Sequence, residues 1–224
     1  MGRLLWGAPL AAITMKKSDS ALMQLVGAII AGDEARFSRL LAAAPELARA
    51  RFAEGATRQN PRAFCLEGIG HYIYAGHTAL HIAAAAYRPR MIEALIANGA
   101  EVGAKSHRNA QPLHAAAVGQ PGSPNWNPPA QVATIACLIE AGADPNATDA
   151  GGATPLHRSV RTRCAAAVEA LLGYGADPRR TNKNGSTPMQ LATRTTGRGG
   201  SGSAATKAEQ KEIVRLLEQY GATR

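Results

Sequence analysis

The run Gly152-Ala153-Thr154-Pro155-Leu156-His157, closed further on by Gly175-Ala176-Asp177, decides the fold. The same phrase stands at Gly76-His77-Thr78-Ala79-Leu80-His81 with Gly99-Ala100-Glu101, and at Gln111-Pro112-Leu113-His114 with Gly142-Ala143-Asp144. It stands once more at Gly185-Ser186-Thr187-Pro188-Met189-Gln190 with Gly221-Ala222. Thr78, Gln111, Thr154 and Thr187 are 33, 43 and 33 residues apart. From these positions to the Gly-Ala pair the gap is 21 residues in two copies, 31 in another and 34 in the last. A 33-residue unit therefore runs through the chain, with about ten and about thirteen additional residues inside two copies; a fixed period of this size marks stacked repeats.

The residues of the unit make physical sense singly. Thr154 before Pro155 suits the start of a helix, because Pro fixes φ and its missing N–H is no loss there. Leu156, Val160, Val168, Leu171 and Leu172 have the spacing of the buried faces of two short helices. The alanine runs 83–86 and 115–117 put small side chains where helices approach closely. Gly99, Gly142, Gly175 and Gly221 close the second helix, where a residue with positive φ is usual. Asn109 stands where other copies have Gly, which suits a residue that tolerates the left-handed region. Gln111 in place of Thr predicts a weaker cap. The turn-rich stretch 144–152 reads as a hairpin-like loop.

On these motifs the chain resembles the ankyrin-repeat family, whose signature T-P-L-H-x-A recurs at this period. The resemblance covers roughly residues 72 to 224. It implies an all-α ankyrin-repeat solenoid of stacked helix–turn–helix units with hairpin-like loops. A bacterial origin is expected. Thr78, His81, Pro112, His114, Thr154, Pro155, His157, Thr187 and Pro188 then form the structural motif, with each His bonding the adjacent turn.

The chain divides into an extension at 1–17, a divergent capping repeat at 18–51 and an irregular insertion at 52–71. Repeats follow at 72–105, 106–148 and 149–181. A carboxy-terminal repeat and cap occupies 182–224. In the first segment Ser18 or Asp19 can cap a helix carrying Leu22, Leu25, Val26 and Ile29, and Gly32-Asp33 breaks it before Phe37, Leu40 and Leu41. The insertion at 52–71 carries Arg58, Arg62, Phe64, Cys65 and Ile69, and part of it is expected to fold back on the solenoid. The third unit holds a Pro-rich insertion at 119–130, where four prolines exclude a helix. Trp126 there either staples the loop or is offered to a partner. A Gly/Ser-rich insertion at 197–206 reads as a linker.

Of the net charge of +9, +7 lies from residue 150 onward, where twelve Lys and Arg face five Asp and Glu. Such a surface attracts acidic partners, nucleic acid or anionic membranes, or is a solvated face. Nucleic-acid binding lacks aromatic platforms in that third. The three cysteines give no disulfide framework; Cys137 and Cys164 fall in helical segments and read as buried small hydrophobes. No run of eighteen apolar residues exists, so no membrane partner is expected. Residues 1–14 resemble a short secretory signal, and Met15 is an alternative start; the location expected is cytoplasmic.

No dinucleotide fingerprint, Walker loop, H-E-x-x-H or G-x-S-x-G is present, so neither catalysis nor a cofactor nor a small-molecule substrate is expected. Cys65, His71, His77 and His81 match no common zinc spacing, so no metal is expected. What remains is a surface for another protein, perceived as acidic, bound by a monomer acting as scaffold, adaptor or inhibitor. A secreted bacterial effector or toxin-neutralising role is the alternative. The resemblance implies contacts at Tyr74, His77, Lys105, His107, Arg108, Arg161, Thr162, Lys183, Asn184 and Arg194, with Ala150 and Ser186 beside them and Trp126 as a further candidate. Arg161 and Arg194 are one period apart, so stacking aligns them on a ridge with Arg108 and Lys183. Arg158, where an apolar residue is usual, either reaches solvent along its stem or is paired.

Overall fold

The T-P-L-H phrase builds a helix start in each unit, and the solenoid is the repetition of that start. The structure is a computed structural model and describes residues 17–121, 126–194 and 204–222. Residues 1–16 of the expected extension, 197–203 of the expected linker and the middle of the Pro-rich insertion lie outside these residues; residues 204–206 of that linker instead begin the last helix, and Pro128 and Pro129 of the insertion open a helix where their missing N–H is no loss. The first unit is α1 (Lys17–Ala31) and α2 (Glu34–Ala43). The second is α3 (Ala79–Ala85) and α4 (Pro89–Ala97), the third α5 (Pro112–Ala116) and α6 (Pro128–Glu140). The fourth is α7 (Pro155–Thr162) and α8 (Ala165–Gly173), the fifth α9 (Pro188–Thr193) and α10 (Ala204–Gln219). Helices α1, α3, α5, α7 and α9 pack in succession as one layer, and α4, α6, α8 and α10 as the other.

Thr154 sits at the N-cap with φ −86° and ψ 168°, and Pro155 takes the first helical position. Thr187 and Pro188 repeat this arrangement. Leu80, Leu113, Leu156 and Met189 then point inward at one repeat position, none more than 1% exposed. Each such burial stabilises the stack by about 2 kcal/mol. Ala83, Ala84, Ala115, Ala116 and Ala117 are buried where α3 meets α5. The second helices end at Gly99, Gly142, Gly175 and Gly221, with φ between 80° and 99°. Asn109 takes φ 57° in the loop, as its side chain allows.

The cap differs from the expectation at one end. Helix α1 already runs from Lys17, so Ser18 and Asp19 lie in its first turn and do not cap it. Gly32 breaks it with φ 69°, and Asp33 caps α2 by accepting from Arg36 N at 2.8 Å. Arg88 ties the cap to the repeats by donating to the carbonyls of Ile29 and Ile30, both at 3.2 Å. Cys164 is buried as expected but sits at the N-cap of α8 and not inside a helix, because Arg163 leaves α7 in the left-handed region with φ 59°. Cys137 lies in α6 and is half-buried.

The insertion folds back on the stack. Its strands β1 (Cys65–Leu66) and β2 (His71–Tyr72) pair antiparallel. Phe52, Leu66 and Ile73 are buried in the common core. The backbone of Phe52 exchanges hydrogen bonds with that of His77 and Gly76, and Ala56 N donates to Ile73 O at 2.7 Å. Gly55 is buried in this contact: a Cβ there would stand 2.3 Å from Ala75 N and 2.5 Å from Tyr74 Cα. Replacement Gly55→Ala is expected to push the insertion off the loop and cost about 2 kcal/mol. Amide exchange should accelerate across 52–74 and stay slow in α7 and α8; equal protection in variant and wild type would refute the close contact.

Candidate functional site

Each motif histidine joins two units. The backbone N–H of Thr78 donates to His81 Nδ1, that of Gln111 to His114 Nδ1 and that of Thr154 to His157 Nδ1, all at 3.2 Å. With Nδ1 an acceptor, a neutral ring carries its proton on Nε2. That nitrogen donates to Ala110 O at 3.0 Å from His81, to Ala153 O at 3.0 Å from His114 and to Ser186 O at 3.1 Å from His157. In the fifth unit Gln190 Oε1 takes over the first role, accepting from Thr187 N at 3.0 Å. At Gln111 the His114 half of the arrangement is kept, while the glutamine forms no side-chain cap hydrogen bond of the kind Thr154 and Thr187 make.

The loops held this way form a ladder. His107 N donates to Ala75 O at 2.7 Å, Ala150 N to Arg108 O at 2.8 Å and Lys183 N to Gly151 O at 2.9 Å. Asp149 organises its own loop: Oδ1 accepts from Gly151 N at 2.8 Å and Ala153 N at 3.0 Å. Its Oδ2 accepts from Arg158 Nη2 at 2.8 Å, and both side chains are mostly buried. Arg158 is therefore paired. Burial would raise the Asp149 carboxyl, but the hydrogen bond and charge of Arg158, with the two loop N–H groups, hold it below the usual carboxylate range.

Against this loop lies a stack of three imidazoles. The His71 and His77 rings are 5.5 Å apart and the His77 and His81 rings 4.6 Å, nearly parallel, with Tyr74 edge-on to His77 at 5.4 Å. His77 Nδ1 accepts from Tyr74 N. Burial lowers His71 to about 4, helped by the Arg158 charge, and lowers His77 further, with its neighbours' charges adding. Burial also lowers His81 to about 3 and His114 to about 4. All four are neutral at pH 7.

These residues wall a groove of about 370 Å³ between the insertion and α7, lined by His71, Tyr74, Arg108, Asp149, Arg158 and Arg161 among others. Asn182 and Asn184 close its far end. A neighbouring depression, lined by Arg58, Phe64, Tyr72, Tyr74, His107 and Arg108, continues it across the insertion. Where the two insertions meet, a smaller cavity of about 180 Å³ is bounded by Ile69, Tyr87, Gln120 and Trp126.

The expected contact residues are thus partly gathered. Tyr74, Arg108, Arg161 and Asn184 share the groove, and His107 joins them through the depression. Lys105, Lys183 and Arg194 are exposed, the last at the C-cap of α9. His77 departs from the expectation: at 3% exposure it forms part of the groove floor and is not a tip contact. Thr162 is half-buried, and its hydroxyl is engaged with Arg158 O at 3.0 Å and Gly119 N at 3.4 Å. Trp126 is held down, donating to Gln131 Oε1 at 3.1 Å while Gln131 Nε2 donates to Ala116 O. His71, Asp149 and Arg158 were missed as groove residues. The departure from the apolar pattern at Arg158 carried a signal; His71 stands out in the sequence only within a Cys/His set that matches no zinc spacing, which does not point to a groove. Among the described residues no group of histidine, cysteine and acidic side chains has the geometry of a metal site, and no helix is long and apolar enough to cross a membrane.

Paired helices stacked in register, with loops laddered on one side, define a helical repeat solenoid. A family model for ankyrin repeats in many copies matches residues 138–192, and one for a single ankyrin repeat matches 75–107. The chain is an ankyrin-repeat protein. No curated protein matches it. Repeats of this family are generally protein–protein interaction modules and typically not enzymes.

Two consequences follow from the geometry. The four deeply buried histidines are depressed in the folded chain, so the unfolded chain binds more protons below pH 6.5. Stability is full above about pH 6.5 and is lost as pH falls towards the folded values, by roughly 2 kcal/mol per histidine at pH 5. Unfolding near pH 5 is expected to take up about four protons; a thermal midpoint unchanged between pH 7.5 and 5 would contradict the neutral rings. Separately, Asp149→Asn places an amide N–H₂ or a weaker acceptor against Arg158, and is expected to cost about 2 kcal/mol in urea unfolding. A loss within error of zero would show the pair to be idle.

Proposed function

We propose that the chain is a non-enzymatic protein-binding module whose groove and loop tips receive an acidic, extended segment of another protein. The observation that supports this reading most is the charge of the groove. Arg108, Arg158 and Arg161 line it with a single carboxylate, Asp149, whose oxygens are already engaged by Arg158 and the loop N–H groups. Arg guanidinium groups match carboxylates in a fork geometry and are over-represented in binding hot spots. Arg194, one period beyond Arg161, and Lys183 at the next loop tip extend the same sign of charge along the stack. A scaffold, adaptor or inhibitor needs no more than such a surface.

The test is capture from lysate of the source organism by the chain and by its Arg161→Glu/Arg194→Glu variant. The wild type is expected to retain a stoichiometric acidic protein that high salt releases, and the variant to bind it at least about tenfold more weakly. Unchanged capture by the variant would sink the basic strip. Recovery of nucleic acid alone, with a steep salt dependence, would replace the protein partner by a polyanion.

A further inference from the structure

We propose that the groove between the insertion and α7 is a pocket for one carboxylate, with Arg158 and His71 at its floor and Arg108 and Arg161 at its rim. The carboxylate is an acidic side chain or the chain end of the segment that the groove receives, so the proposal rests on the protein-binding reading above. Two residues that line the groove each carry a buried polar atom without a hydrogen-bond partner, Arg158 Nε and His71 Nε2. A buried donor without an acceptor keeps the full penalty of its lost hydration, and native interiors leave few of them. Two in one groove mark a place where an acceptor belongs. Arg158 Nε is always a donor. A neutral His71 ring carries one proton, which on Nε2 makes a second donor.

The size and charge of the groove choose among anions. A volume of about 370 Å³ admits one or two side chains and no folded surface. Arg158 has already committed Nη2 to Asp149, so the floor has one guanidinium edge and one neutral imidazole left to offer. That set matches a planar, singly charged carboxylate. A phosphate dianion would bring more charge than the floor neutralises and would stand near Asp149, which lines the same groove. Arg108 and Arg161 are exposed in the free chain. Their side chains can close over the carboxylate without disturbing the core.

Imidazole-detected NMR of the whole chain tests this. Acetate, a blocked glutamate and inorganic phosphate are titrated separately at pH 7 and constant ionic strength. The His71 ring signal is expected to shift saturably at millimolar carboxylate, and Arg108→Gln/Arg161→Gln to weaken the response at least about tenfold. Both replaced residues are exposed, so the thermal midpoint of the variant should match wild type. Arg90→Gln, exposed on α4 and outside the groove, should leave the response unchanged. Saturation by phosphate in preference to carboxylate would overturn the choice of anion. A His71 signal that no anion moves, or one that moves equally in the double variant, would overturn the pocket. If the pocket fails in this way while capture through Arg161 and Arg194 persists, the protein-binding reading still stands; if carboxylate titrates His71 but no protein is captured, that reading falls instead.

Discussion

The neutral histidine at the third helical position is the constraint on which the architecture turns. One ring nitrogen must be bare to accept the cap N–H of its own unit, and the other must carry a proton for the next unit's loop. Only the neutral Nε2–H tautomer does both, and burial enforces it, because a charged ring in that position would lose its hydration. The helix start of one unit and the loop of the following unit are thereby set by a single side chain. A glutamine can do the first half of this task, as Gln190 does by accepting from Thr187 N. The bond therefore works as a spacer. It converts a local capping preference into a fixed relation between successive units, which is the nearest-neighbour coupling a solenoid requires.

Insertions are tolerated where they leave that spacer intact. The third unit keeps the His114 bond to Ala153 although its helices are separated by additional residues. Trp126 and Gln131 fasten those residues against the end of α5. The insertion before the second unit does more. By pairing its backbone with Gly76 and His77 it covers the first full repeat and sets His71 on the end of the histidine stack. A ring that was a spacer in the repeat thus becomes the wall of a groove, and the solenoid acquires a local site without any change in its period.

The fold was legible because its determinants are local and repeated. Thr154, Pro155, Leu156 and His157 each state their role by type and position, and three further copies repeat the statement. The groove was legible only in part. Arg108, Arg161 and Asn184 follow from repeat positions, and Arg158 announced itself by standing where an apolar residue is usual. His71 drew notice only as one of a Cys/His set without zinc spacing and gave no sign of a groove, since it lies in an irregular segment whose path depends on long-range backbone pairing with Gly76 and His77. The burial of His77 was hidden for the same reason: without the insertion over it, its position would face outward. Asp149 read as a turn residue, and it is one. Its second oxygen acts on a side chain nine residues away, across a helix start that no periodicity describes.

Arg158 shows how a repeat protein acquires character at the cost of one rule. An apolar residue there would have sealed the loop side of α7. The arginine brings a cation whose charge bears on His71, His77 and His114 and lowers each of them. Burial is the main reason these three rings stay neutral, and the cation that needs Asp149 as a partner adds to it. Charge and neutrality in the groove are therefore coupled. Removing the arginine would relax the histidines towards protonation, and removing Asp149 would leave the arginine without its buried partner. A groove built this way is electrostatically positive yet composed of groups that cannot easily gain further protons. That combination favours attraction of an anion over exchange of protons with it.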